Sequence, residues 1–168
     1  MHRSSLNNTK QLDLEGSEFK IYIIDSSSLI NLKIWYPFEK RFFSPIWAKL
    51  ENLIKFNSLI SHYEVYRELS KRDDNLRDWC NTNSKMFKDE YDMTVLKQVE
   101  KKYDKNYWDK NTNSDKPWAD PWIIVLAIKK NGVIVTDENR DLNKIPKVAE
   151  NFGIKSISSP EFIDRIIP

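Results

Sequence analysis

Acidic residues at four separated places are the side chains of this sequence best suited to chemistry. Asp25 closes the apolar run YIID, and Glu68 lies in SHYEVYRELSK. Asp120 opens DPWIIVLAIKK, and Asp137 and Glu138 follow VIVT. Carboxylates gathered at one edge of a sheet repel one another and cost stability. A divalent cation offsets that repulsion, and the chemistry it supports best is displacement at a phosphate. Glu64 lies four residues before Glu68 on nearly the same helical face, so it stays open as an alternative. Ser26 and Ser27 can orient a carboxylate or hold a water, and Thr136 can hydrogen-bond Asp25 or a phosphate. Asp141 is a fifth acid that can take part, in the polar loop with Asn139 and Arg140.

Each acid also has a plainer reading. Asp120 and Asp25 can be helix caps, Glu68 a surface residue, and Asp137 and Glu138 turn residues. Four independent placements at one edge make these plain readings poor when taken together.

The rest of the composition narrows the ligand. Two histidines, His2 and His62, cannot build a histidine-rich site, and the single Cys80 excludes a multi-cysteine zinc site or an internal disulfide. Hard oxygen donors remain, which suit Mg²⁺ or Mn²⁺. Only three glycines are present, too few for a glycine-rich loop around a nucleotide triphosphate. The net charge of +2 is weak evidence for a polyanionic partner, and the lysine runs read first as a solvated surface. No apolar span reaches transmembrane length and the N-terminal residues lack an apolar signal region, so an intracellular protein is expected.

The elements that must position these acids follow from pattern. At 168 residues the chain makes one domain, burying about 70% of its unfolded surface. Residues 1–18 are polar and unpatterned and read as a loosely attached lead-in, with the domain spanning 19–168. FKIYIID predicts a strand over about Phe19 to Ile24, followed by a short helix capped within Ser26–Ser28. SPIWAKLENLIKFN predicts a helix with Pro45 in its first turn and an apolar stripe of Ile46, Leu50, Leu53 and Ile54. SLIS is a brief strand and HYEVYRELSKR a helix. DDNLRDWCNTNSKMF continues as helix and then polar loop, and KDEYDMTVLKQVEKKYDKNYW reads as one further helix. DPWIIVLAIKKNG is apolar almost all round and reads as a buried helix, with Pro121 in its first turn and Gly132 as its C-cap. VIVT is a strand, PKVAENFG a helix, IKSIS a last strand and SPEFIDRII a terminal helix. Alternation of strands and helices predicts a three-layer α/β/α sandwich with a mainly parallel sheet. Ligands of such sheets bind beyond the carboxyl ends of the strands, where Asp25 and the acids after VIVT fall, and the helix opened by Asp120 starts at that same edge. Trp118 and Trp122, on either side of Asp120, are expected to pack the crevice wall or stack on a base. Trp35, Trp47, Trp79 and Trp108 are expected in the core or on a partner surface.

In order, YIIDSSSLI, LISHYEVYREL, WADPWIIVLA and VIVTDENRD, with the tail KIPKVAENFGI, resemble the PIN-domain nucleases, in particular the PIN-like bacterial proteins near the VapC-type toxins. The resemblance covers residues 20–167. It implies a PIN-like fold and a ribonuclease dependent on Mg²⁺ or Mn²⁺, commonly the toxin of a toxin–antitoxin pair and cytoplasmic. The implied metal-binding and catalytic acids are Asp25, Glu68 rather than Glu64, Asp120 and Glu138, with Asp137 and Asp141 nearby. An RNA substrate, an antitoxin protein and a homodimer are the implied partners. The competing readings are a PIN-like scaffold without catalysis that binds nucleic acid or protein, and a structure-specific DNA nuclease. An aspartyl-nucleophile phosphotransferase fits poorly, because Ser27 stands where that class requires an acid.

Overall fold

The computed structural model describes residues 20–72 and 74–168. The lead-in at 1–18, His2 and the expected strand start at Phe19 lie outside the described residues. Five strands form one all-parallel sheet: β1 (Tyr22–Ile24), β2 (Leu59–His62), β3 (Phe87–Lys88), β4 (Val133–Val135) and β5 (Ser156–Ile157). Their order across the sheet is β3-β2-β1-β4-β5. The chain therefore builds outward from β1 on one side, then returns to β4 and builds outward on the other. The reversal lies between β1 and β4.

The helices are α1 (Ser26–Trp35), α2 (Ser44–Lys55), α3 (Tyr63–Leu69), α4 (Asn75–Thr82), α5 (Met93–Glu100), α6 (Lys105–Thr112), α7 (Asp120–Lys130), α8 (Ile145–Glu150) and α9 (Ser159–Ile166). Helix α1 packs with α3 and α9, while α7 packs with α5 and α8 and lies along β1, β2 and β4. These are the two outer layers of an α/β/α sandwich.

Strands of two to four residues form few ladder bonds, so burial must hold the sheet. The central strands present Ile23, Ile24, Leu59, Ile60, Ile134 and Val135, all nearly or fully buried. Helix α7 answers with an unbroken buried run from Ile123 to Ala127. Each such aliphatic side chain contributes about 1.5–3 kcal/mol when removed from water. A helix that is apolar nearly all round is explained by this position between the sheet and its neighbouring helices.

Four local expectations need correction. Helix α7 ends on Asn131, which takes the left-handed conformation (φ 49°), not on Gly132. Gly132 is required for another reason: a Cβ there would lie 2.8 Å from the Ile21 carbonyl oxygen and collide with the Ile23 side chain. The expected single helix over 88–108 is two helices. Asp104 breaks it, because its carboxylate caps Tyr107 N–H while its own N–H donates to the Asn143 side chain. Strand β3 takes Phe87 from the end of the expected polar loop and Lys88 from the start of the expected helix, and it pairs in parallel with Ser61 and His62. His62 belongs to β2, not to the helix after it. Its ring Nδ1 accepts from Glu64 N–H at the start of α3, and its Nε2 donates to the Glu90 carbonyl. That pair of bonds requires the neutral ring, and burial pushes the His62 pKa down.

Candidate active site

Register explains how the first acid is held. Ile24 pairs with Val135, so the next residues, Asp25 and Thr136, stand side by side beyond the carboxyl ends of β1 and β4. Asp25 N–H donates to the Val135 carbonyl at 2.9 Å, which turns the backbone at the sheet edge. Asp25 is only 2% exposed, and its carboxylate accepts from the Ser27 hydroxyl at 2.9 Å and the Thr136 hydroxyl at 3.2 Å. Asp25 occupies the N-cap position of α1 but makes no side-chain bond of capping geometry, although the Ser26 and Ser27 N–H groups lower its pKa. Capping alone therefore does not account for a carboxylate that also takes the Ser27 and Thr136 hydroxyls.

Glu68 reaches the same edge from the last turn of α3. Its oxygens accept from the Ser26 hydroxyl at 2.7 Å and from Ala119 N–H at 2.9 Å. Ala119 is the N-cap residue of α7, so Glu68 ties α1, α3 and α7 together. Glu64 points elsewhere: Arg67 bonds it through both oxygens at 3.0 and 2.9 Å, and the Tyr91 hydroxyl adds a third bond at 2.9 Å.

Asp120 is the first residue of α7, with Ala119 at the N-cap, and the Trp118 indole N–H donates to its carboxylate. Glu138 takes an N–H bond from Ile145 at 2.9 Å, closing the start of α8, while its own N–H donates to Thr136. Asp137, next to it, turns the other way. Its carboxylate accepts from Ser159 N–H at 2.7 Å, the Ser159 hydroxyl at 2.6 Å and the Asn31 amide at 2.9 Å. It sits at the N-terminus of α9, where the helix dipole favours an anion. Asp137 thus fastens α9 and α1 to the sheet edge and is withdrawn from the group formed by the other acids. Asp141 is exposed, and among the described residues no hydrogen bond ties its carboxylate to that group.

The electrostatics join Asp25, Glu68, Asp120 and Glu138 into one unit. Burial raises all four carboxyl pKa values. Asp120 is pushed up most clearly, first by burial and then by the charges of Asp25, Glu138 and Glu68. Glu68 feels Asp25 and Glu138, and Glu138 feels Asp25. Hydrogen bonds from Ser27 and Thr136 to Asp25, from Ser26 and Ala119 to Glu68, and from Ile145 to Glu138 act in the opposite sense. The crevice is therefore a place of excess negative charge with few cations of its own; Lys144 offsets only Glu138.

The tryptophans beside Asp120 are both braced. The Trp118 indole meets Tyr103, Tyr107 and Trp108 edge-on, and Trp122 stacks on His62 at 5.5 Å. Trp47, Trp79 and Trp108 are buried in the core, while Trp35 is exposed. Asn31 and the Ala119 N–H carry no signal in a sequence; only the fold assigns them partners.

Four hard oxygen donors, without histidine or cysteine among them, match the ligand chemistry of Mg²⁺ or Mn²⁺. Their charges also fit a dication, which would relieve the repulsion that raises their pKa values. Their spacing is looser than a finished cage: among the described residues no group of three His, Cys, Asp or Glu side chains stands at metal-ligand spacing.

Fold and site together define an α/β/α domain with an acidic crevice at the topological switch point of a parallel sheet. The family model described as a domain of unknown function, DUF4411, matches residues 22–166, and the chain belongs to that family. Comparison with curated proteins finds no match. Among the described residues no helix is long and apolar enough to cross a membrane.

Proposed function

We propose that this protein is a metal-dependent ribonuclease that hydrolyses RNA phosphodiester bonds, acting in the cytoplasm as the toxin of a toxin–antitoxin pair. One observation carries the hydrolase part: Asp25, Glu68, Asp120 and Glu138 meet at the switch-point crevice, each raised in pKa by burial, and three of them also by their neighbours' charges. The RNA substrate, an antitoxin partner and a homodimer rest on the resemblance to PIN-domain nucleases.

Asp25, Glu68, Asp120 and Glu138 are the residues that would hold Mg²⁺ or Mn²⁺. The ion supplies Lewis-acid polarisation of the phosphate and a lowered pKa for water. The protein's own contribution is positional. Ser27 and Thr136 fix the Asp25 carboxylate, and Ser26 and Ala119 N–H fix Glu68. The raised pKa values of the four carboxyls come from burial and mutual repulsion, and a bound cation would relieve that repulsion. His62 is neutral, engaged at both ring nitrogens, and serves the fold.

A second reading, a PIN-like scaffold that binds without catalysis, is favoured by the loose spacing of the acids. One experiment separates them. The protein and an Asp25→Asn/Asp120→Asn variant are incubated with mixed cellular RNA, in Mn²⁺ or in EDTA. The nuclease reading expects cutting that needs Mn²⁺ and is absent in the variant. No cutting by the parent protein, or equal cutting by both, rejects it.

A further inference from the structure

Two clefts share Trp108 as a lining residue, and residues next to the acids in sequence line the first of them. The first, about 270 Å³, is walled by Trp108, Trp118 and Trp122 and carries Arg67 and Lys116. Its wall flanks the site directly in sequence: Arg67 precedes Glu68, and Trp118 and Trp122 bracket Asp120. The second, about 530 Å³, lies between α5 and α6 and is lined by Lys97, Lys101 and Lys105 with Tyr103 and Trp108. Acids are present too, Glu64 and Asp115 in the first and Glu100 in the second. Glu64 is neutralised by Arg67. Lys105 pairs with Asp109, whereas Lys97 and Lys101 form no ion pair among the described residues. The second cleft thus keeps a positive excess beside an aromatic floor, while the crevice next to it is negative.

Tyr103 joins the two regions. It is 7% exposed, and its hydroxyl is buried without a hydrogen-bond partner among the described residues. A buried hydroxyl left unpaired costs about 1–3 kcal/mol, so such groups ask for a reason. The charges of Asp120, Glu138 and Asp25 add to the burial that raises its pKa. Tyr103, which lines the lysine cleft, thus lies near enough to the acidic crevice to feel its charges.

Alternating aromatic faces and lysines match one ligand chemistry, an unpaired polynucleotide, whose bases stack and whose phosphates are anionic. We propose that the two clefts form a subsite that grips the single strand flanking the cleavage point, with Lys97, Lys101 and Lys105 on its phosphates and the half-buried indoles of Trp118 and Trp122 against its bases, while buried Trp108 is the wall the two clefts share. This rests on the ribonuclease reading and adds where the strand lies. It also explains how a protein of nearly neutral net charge recruits RNA: the cations are local to one face, and Asp25, Glu68, Asp120 and Glu138 are left to the reaction.

The test is binding in EDTA, where cutting is not expected. Fluorescence anisotropy of a labelled oligouridylate of about 15 nucleotides is measured against the protein and a Lys97→Ala/Lys101→Ala/Lys105→Ala variant. All three lysines are exposed, and circular dichroism checks that the fold is kept. The subsite predicts a loss of about 10-fold or more in affinity, with the log–log salt slope reduced by about 2. Lys101→Glu alone should weaken binding in the same direction. Unchanged affinity and slope in the triple variant, or no binding by the parent protein, would overturn the subsite even where Mn²⁺-dependent cutting persists. Lysine-dependent binding without cutting in Mn²⁺ would support the subsite and reject the nuclease reading.

Discussion

Two adjacent acids, Asp137 and Glu138, show that position in the chain does not settle a residue's task. Asp137→Ala removes three hydrogen bonds and strands the buried Ser159 N–H. It should cost about 3 kcal/mol, seen in urea unfolding, while the folded fraction should keep the Mn²⁺-dependent cutting that the proposed function expects. Glu138→Gln should do the reverse, sparing stability and lowering activity. Asp120→Asn carries the opposite sign from an ordinary buried-acid substitution. It relieves repulsion from Asp25, Glu138 and Glu68, so the metal-free protein should gain on the order of 1 kcal/mol, or about 2–4 °C in Tm. A loss of stability would return Asp120 to a purely structural role. The pH dependence follows from the same shift. A carboxyl whose pKa is raised on folding binds its proton more tightly in the folded state, so stability falls as pH climbs from the ordinary carboxylate range, about 4, through the raised value. His62, lowered by burial, works the other way, losing stability as pH falls below its ordinary value of about 6.5. It is common to both proteins, so the difference between parent and Asp120→Asn isolates the acid. That difference should shrink on acidification toward pH ~4 in metal-free thermal melts.

At the scale of elements, the sequence was legible where hydrophobic pattern is strong and silent where partners decide. The β-branched runs before Asp25 and Thr136 mark β1 and β4 because such side chains suit a half-buried pleat. The all-round apolar run of α7 reads as a buried helix for the same reason of burial. Strand β3 was not legible: two residues carry no period, and only pairing with Ser61 and His62 makes them a strand. The break between α5 and α6 did have a signal, since Asp104 is an N-cap type of residue, but an uninterrupted helical pattern hid it. The edge location of the acids could be read from strand ends and α/β alternation. The opposite orientations of Asp137 and Glu138 could not, because Ser159 lies 22 residues away in sequence. Neither could the orphan hydroxyl of Tyr103. Gly132 illustrates a close approach mistaken for a cap. Gly132→Ala should destabilise by about 1–3 kcal/mol in denaturant unfolding, because the new methyl meets the Ile21 carbonyl oxygen, which also accepts from Val133 N–H. A neutral effect would mean that β1 and β4 can part there without loss.

Across the whole molecule, one topology does the positioning. Strand order reverses between β1 and β4, α1 and α8 leave toward opposite layers, and the carboxyl ends of both strands open into the crevice between them. Side chains from α3, from the start of α7 and from the loops after β1 and β4 then converge, although more than 110 residues separate the first from the last. On the proposed function, the negative crevice would carry the chemistry and the lysine-bearing cleft the grip on the strand. The account depends on four carboxylates acting as one cation site, and isothermal titration of Mn²⁺ measures that directly. The parent protein should bind Mn²⁺, and Asp25→Asn, Glu68→Gln, Asp120→Asn and Glu138→Gln should each weaken binding while Asp137→Asn leaves it nearly unchanged. No binding by the parent protein, or equal binding by all five variants, would contradict it.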